Sequence, residues 1–275
     1  SADHQPLKFE GTVVPKERKP EQLCDIWGQR FHAQISTQGA SLKHFYLTTA
    51  KYKQQGKAID LSTTPDVELR RQLRFHFRNE RFQPADDWQL DYDEVDYQIE
   101  KTDGKSCELV YRDDKVEIRR KLRATENPYE LEADATITNL SDKKLKHALT
   151  VHTDAWRSSH EVEGGMFRVS PFLTHVECIS EANKATRLRP PDFEPDKFKG
   201  AEFSGPLNAG DWHETKTPPA YAAVSNAYFS HAIVPVEAPA GSKPTCQLQI
   251  EDRWDGARFK SKKAEPNTGA MYRAR

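Results

Sequence analysis

Nowhere in this 275-residue chain is there an unbroken run of about 18 apolar residues, so no segment here is built to span a bilayer as a helix. No secretory signal pattern is visible. Helical signals are scarce as well: no long stretch holds apolar residues at i, i+3 and i+4, and Ala50 to Lys57 is expected to make a turn or two at most. A Gly-rich phosphate loop, a His-Glu-x-x-His pair and a Gly-x-Ser-x-Gly elbow are all missing, which removes the commonest nucleotide, zinc-peptidase and serine-hydrolase readings. A strong net charge is also lacking. Lys and Arg number 41 against 42 Asp and Glu, for a formal charge of −1. No global field therefore favours nucleic acid or anionic lipid.

Cysteine is sparse. Cys24, Cys107, Cys178 and Cys246 form no C-x-x-C pair and lie too far apart to suggest a zinc cluster. They read as small hydrophobes on strands, as in Cys246-Gln247-Leu248-Gln249-Ile250, with no zinc and no obligatory disulfide expected. In an oxidising compartment a disulfide stays open, and the sequence cannot pair the four.

Charged residues make up 30% of the chain, hydrophobic ones 36%, and mean hydropathy is −0.85. Much of the surface must be charged. The runs Arg119-Arg120-Lys121, Lys260 to Lys263 and Asp91 to Asp96 are read as solvated edges and loops. Residues 1–22, polar and rich in Lys, Glu and Pro, read as a flexible leader, and 23–275 as a single β domain.

Alternation is the dominant signal. Trp27, Phe31, Ala33 and Ile35 share one parity, Gln38-Gly39 supplies a turn, and Leu42 to Leu47 returns as a second strand. Tyr129, Leu131, Ala133, Ala135 and Ile137 alternate with Glu130, Glu132, Asp134 and Thr136. The first set is expected to be buried and Glu130, Glu132 and Asp134 exposed, because unpaired buried carboxylates are costly. With Val116 to Leu122 before it and Leu145 to Val151 after it, 116–152 reads as a three-stranded meander. Ala220 to Pro235 has the rhythm of two apolar strands joined by a short polar step. Residues 185–219, with Pro190-Pro191 and Pro218-Pro219, read as a long irregular excursion. Many short strands with few short helices predict an all-β fold, a large antiparallel sandwich.

Several of these segments, in this order, resemble the large periplasmic domain of the YidC membrane-protein insertase family. Trp27 to Leu47 is similar to its opening hairpin, with Ala40 where the family usually has a second glycine. Asp60-Leu61 resembles the short step that follows. Lys121, Tyr129 and Asn139 stand at matching points of the central stretch. Tyr221-Ala222-Ala223-Val224 through Tyr228-Phe229 to Ala232-Ile233-Val234-Pro235 is the third match, and Thr268 to Tyr272 resembles the last strand before a closing helix. The resemblance implies a twisted, galactose-mutarotase-like β-supersandwich on the periplasmic face of the bacterial inner membrane. It also implies a non-catalytic role, with contacts to the membrane-embedded part of the same protein, to SecDF and the Sec translocon, and to nascent membrane proteins. No cofactor, metal or nucleic acid is implied. The last strand, lacking the closing helix, is expected to be partly uncovered.

The alternative comes from the same fold: a mutarotase-like domain that binds or epimerises sugar with a His acid and a carboxylate base. His147, His152 and His175 lie near expected strands. His147, on the apolar face, reads as a core histidine, and Val151-His152-Thr153 echoes the histidine strand of those enzymes. Glu161, Glu163 and Glu251 are equal candidates for the base, and Trp156 and Trp212 for a sugar-stacking platform. No catalytic residue is nominated. Asn139-Leu140-Ser141 fits a glycosylation sequon and is read as turn chemistry.

Overall fold

The computed structural model describes residues 17–79, 92, 94–142, 147–158, 174–193, 202–203, 207–208, 210–236, 244–252 and 269–275. Every strand pair formed among them is antiparallel, and helix is confined to two short 3-10 turns. The chain divides into two compact units, 1–151 and 152–275.

The first unit contains β1 (Leu23–Trp27), β2 (Phe31–Ser36), β3 (Ser41–Leu47), β4 (Lys53–Gln54), β5 (Lys57–Asp60), β6 (Phe75–Asn79), β7 (Gln98–Thr102), β8 (Ser106–Arg112), β9 (Val116–Ala124), β10 (Leu131–Asn139) and β11 (His147–Val151). One sheet runs β1-β2-β3-β5-β4, another β10-β9-β8-β7, and β11 pairs with β6. Phe31, Ala33 and Ile35 point inward, as their parity requires, and meet Leu109, Ile118 and Leu122 of the facing sheet in one core. The β2–β3 turn places Gly39 at φ 67° and Ala40 at φ 46°. An alanine in the left-handed region costs about 1–2 kcal/mol. Its methyl is fully buried, which returns about 0.8 kcal/mol, so the departure from glycine is tolerated. A second hairpin turns at Gln55 and Gly56, so Ala50 to Lys57 holds β4 and the start of β5 and no helical turn.

Residues 17–22 are held against this unit. Arg18 grips the Asp96 carboxylate with Nε and Nη2 at 2.7–3.0 Å and also reaches Glu68, while Glu21 takes Ser36, Lys43 and Arg71. The first 16 residues, and Lys260 to Lys263, lie outside the described set.

Four expectations need correction here. Trp27 ends β1 instead of opening β2 and is 54% exposed, its indole stacked at 3.9 Å on His32. The strand β10 forms, but without the expected alternation of burial, because among the described residues it is the edge of its sheet. Only Leu131 and Ile137 reach the core; Tyr129, Ala133 and Ala135 are exposed, with Glu130 and Asp134, and Glu132 is half-buried beside Arg123. The meander of 116–152 stops at two strands, because β11 pairs with β6, and β9 meets β8 instead. Arg120 is not a solvated edge residue. It shares the parity of Val116, Ile118 and Leu122, so its side chain enters the core, 2% exposed. Its Nη2 donates to the Leu73 carbonyl at 3.4 Å and its guanidinium lies 4.6 Å over the Phe75 ring, but Nε and Nη1 meet no acceptor. Burial pulls its pKa down.

The second unit contains β12 (Thr153–Ser158), β13 (His175–Ser180), β14 (Ala185–Leu188), β15 (His213–Glu214), β16 (Pro219–Ser225), β17 (Ser230–Ile233), β18 (Gln247–Asp252) and β19 (Gly269–Ala274). Its sheets run β12-β19-β18-β15 and β14-β13-β16-β17, with Val176, Leu188, Val224, Leu248, Ile250 and Tyr272 among the shared core. The stretch from Ala220 to Pro235 is the expected hairpin, its turn fastened by Asn226 Oδ1, which accepts from the Tyr228 and Phe229 amides. The last strand is not left uncovered: β19 is central, paired on both sides, with Ala270, Tyr272 and Ala274 buried.

The expectation of no obligatory disulfide is overturned. Cys24 is bonded to Cys107 and Cys178 to Cys246, each across a Cα–Cα distance of 6.2 Å. The first bond joins β1 to β8, hence one sheet to the other. The second joins β13 to the residue before β18, again across the two sheets. All four are buried where strand alternation put them. What the sequence hid was the partner, 83 and 68 residues away.

Loop-closure entropy assigns about 4.5 kcal/mol to each bond. Urea unfolding followed with and without reductant should show a loss of about 2–5 kcal/mol for Cys24→Ala/Cys107→Ala and again for Cys178→Ala/Cys246→Ala; an unchanged midpoint in either pair would contradict the assignment. Arg120→Met removes two buried nitrogens that meet no acceptor and should raise stability by about 1–3 kcal/mol in the same assay.

Candidate functional site

Among the described residues of the second unit, two clusters of buried polar side chains hold its titratable candidates. In the first, cross-strand register lines up Asp154 of β12, Arg273 of β19 and Gln249 of β18 in one row. All three are buried, Asp154 completely. Arg273 donates from Nε to Asp154 Oδ1 at 3.1 Å and from Nη1 to Gln249 Oε1 at 2.8 Å. Its Nη2 lies 3.3 Å from His152 Nδ1. Gln249 Nε2 in turn donates to the Gly210 carbonyl at 2.7 Å. Trp212 covers the row, its ring 4.8 Å from the guanidinium of Arg273 and 3.9 Å from that of Arg275.

An arginine can only donate, so His152 Nδ1 accepts and the imidazole proton sits on Nε2. A neutral ring beside a fixed cation is a poor acid. The carboxylates nearby, Asp154 and Glu251, both face Arg273, the latter at 3.9 Å. Trp212 has two guanidinium groups against its ring. Trp156 lies two residues beyond Asp154 and packs on Gly269, where a Cβ would come within 2.8 Å of the indole. What this arrangement does chemically is hold three strands and a loop in register through one cation.

The second cluster lies on the other sheet of this unit. Glu177 accepts from Arg187 Nε at 2.7 Å and from Ser225 Oγ at 3.1 Å, with His175 Nε2 at 3.5 Å, and Ser225 also meets Ser230 at 2.8 Å. Burial works to raise the Glu177 pKa, but Arg187, His175 and Ser225 outweigh it and hold the carboxyl below its usual range. Burial lowers the His175 pKa, with Arg187 adding to it against the pull of Glu177. Near neutral pH this is a neutral histidine beside an ionised, hydrogen-bonded glutamate. Ser225 turns to Glu177 and not to the histidine.

Of the residues singled out in the sequence, His152 and Glu251 are thus drawn to Arg273, and His175 to Glu177. His147 sits in β11 opposite Asn79, and its side chain, like Glu161 and Glu163, lies outside the described residues. Arg273 and Gln249, which organise the first cluster, carried no motif; the one available signal was an arginine set between Tyr272 and Ala274 in a strand. Among the described residues no three of His, Cys, Asp and Glu gather as a metal site. A cavity of about 410 Å³ in the first unit is lined by charges such as Lys19, Asp96, Arg112 and Glu117. Those on β8 and β9 are already paired, Arg112 and Arg119 both with Glu117.

The YidC periplasmic domain family model matches residues 24–261. Among solved structures, a galactose mutarotase-like protein from Lactobacillus casei aligns at 11% identity and a TM-score of 0.51, over 92% of this chain and 87% of that one. A galactose mutarotase related enzyme from Lactobacillus acidophilus aligns at 12% identity and a TM-score of 0.46, over 92% and 84%. No curated protein matches the chain. The fold is that of the mutarotase-like β-sandwiches; at such identity the likeness reaches no further than the fold.

Removing the cation while leaving the buried carboxylate should be severe: Arg273→Met is expected to cost about 3–5 kcal/mol by urea unfolding, and Arg273→Met/Asp154→Leu to recover part of it. The pH response follows from two lowered pKa values. His175 gains a proton more readily unfolded, so its contribution is full above pH 6.5 and is lost as pH falls below it; that of Glu177 is lost below about 4.5. The unfolding midpoint should fall on acidification from pH 7 to 5, and less steeply in His175→Gln. An equal slope in that variant would remove His175 from the account.

Proposed function

Because this chain belongs to the YidC periplasmic domain family, we propose that it serves as the non-catalytic scaffold of an inner-membrane insertase, offering contact surfaces during membrane-protein insertion. The observation that carries this reading is the family match over most of the chain. A domain of this family belongs to a membrane protein, although no helix among the described residues is long and apolar enough to cross a membrane. The two disulfides support a periplasmic location, since such bonds persist in oxidising compartments. The geometry of His152, whose neighbouring carboxylates face Arg273, supports scaffolding over sugar chemistry. The partners of this reading are the membrane-embedded part of the same protein, SecDF with the Sec translocon, and nascent membrane proteins.

The test is affinity purification of the full-length membrane protein with and without residues 24–275, with SecDF quantified in both. Recovery should fall on deletion; equal recovery would contradict the docking role. Polarimetry on fresh α-glucose or α-galactose addresses the sugar alternative. Mutarotation is expected at the uncatalysed rate, and acceleration abolished by His152→Ala would establish an epimerase instead.

A further inference from the structure

The two disulfides pair the cysteines in the order in which the chain presents them. Cys24 takes the next cysteine, Cys107, and Cys178 takes the next after that, Cys246. Each pair also stays inside one compact unit, and the first unit ends at residue 151, before Cys178 is reached. Loop length does not dictate this pattern. A Cys107–Cys178 loop would be intermediate in length between the native ones, which span 83 and 68 residues. Closure entropy changes only with the logarithm of length, so an unfolded chain offering all four thiols at once has no preference for the native pairs.

Nor can the folded chain correct a wrong choice. Cys24 is 2% exposed, Cys178 3%, and Cys107 and Cys246 are fully buried, so an oxidant must reach each pair before its sheets close. All four cysteines are consumed, which leaves no thiolate within the chain to reopen a bond. The pairing is therefore selected while the bonds form.

We propose that this chain is the substrate of a protein dithiol oxidase, which closes Cys24–Cys107 first and Cys178–Cys246 second as the thiols emerge, without a disulfide isomerase. The proposal rests on the periplasmic location of the scaffold reading and goes beyond it by naming a reaction the chain must undergo. The bacterial periplasm is kept oxidising by such an enzyme and not by a small-thiol buffer. The Cys24 thiolate attacks the oxidase disulfide, forming a mixed disulfide and releasing one oxidase sulfur as thiolate. The Cys107 thiolate then attacks the Cys24 sulfur, closing the bond and releasing the second oxidase sulfur. The chain gives up two protons and two electrons, and the oxidase leaves as a dithiol. Cys178 and Cys246 repeat the exchange with a second oxidised molecule. When Cys24 awaits a partner, Cys107 is the first to arrive, so synthesis from the N-terminus makes the native pair the default.

The experiment exports the whole 275-residue chain behind a cleavable signal peptide in three bacterial strains: a parent, one lacking the periplasmic dithiol oxidase and one lacking the disulfide isomerase. Cells are pulse-labelled and thiols are blocked by alkylation at successive times. Bonds are then read on non-reducing gels and by peptide mapping. Loss of the oxidase should slow bond formation at least tenfold. Loss of the isomerase should change neither the rate nor the pairing, and Cys24–Cys107 should appear before Cys178–Cys246 in every strain. Cys178→Ala/Cys246→Ala should form Cys24–Cys107 at the parent rate; because that variant can misfold in its second unit, the isomerase comparison uses the unaltered chain. The proposal is overturned by an unchanged rate without the oxidase, by Cys107–Cys178 or any other bond between the units accumulating without the isomerase, or by Cys178–Cys246 forming first. The assay needs no insertase activity, so SecDF recovery and oxidase dependence fail separately.

Discussion

Each unit of this protein depends on one covalent bond between two of its sheets. With 36% hydrophobic residues, the chain has less apolar side chain than an average globular protein to drive sheet against sheet. Cys24–Cys107 and Cys178–Cys246 restrict the unfolded chain, so that less burial suffices to hold the sandwiches closed. The same bonds settle what the cysteines do not do. Buried and oxidised, they are neither nucleophiles nor metal ligands. Chemistry is left to the polar side chains, and among the described residues of the second unit the two buried clusters are bound within themselves.

The two buried arginines show the difference between a cation that organises structure and one that is merely accommodated. Arg273 spends its donors on Asp154, Gln249 and His152 and lies under Trp212, so three strands and a loop converge on it. Arg120 has one long hydrogen bond and an aromatic face. Burial of a charge in either place is costly, and only the first gets geometry in return. A histidine held beside the first cation is a structural acceptor.

Local alternation made much of the fold readable. Phe31, Ala33 and Ile35, the hairpin from Ala220 to Pro235 and the strand at Gly269 all lie in strands as their patterns require, because parity against one core is a local property. Position within a sheet is not. Nothing in Tyr129 to Ile137 says that β10 is an edge, and so Ala133 and Ala135 were expected inside. Partner choice is equally non-local: β11 left the meander for β6, and the cysteines found partners far along the chain. Arg120 was legible in principle, since parity with Val116, Ile118 and Leu122 places it inside; its charge argued the other way. The family was legible in the order of its segments, and the Arg273 cluster in nothing shorter than the tertiary fold.

If each sandwich is closed by its own covalent bond, the native protein holds no free thiol and only two cross-links. Peptide mapping of the unreduced, alkylated protein by mass spectrometry tests this most directly. It should recover Cys24 joined to Cys107 and Cys178 joined to Cys246, with no alkylated cysteine. Free thiols in the folded protein, or bonds that link the first pair to the second, would contradict the account.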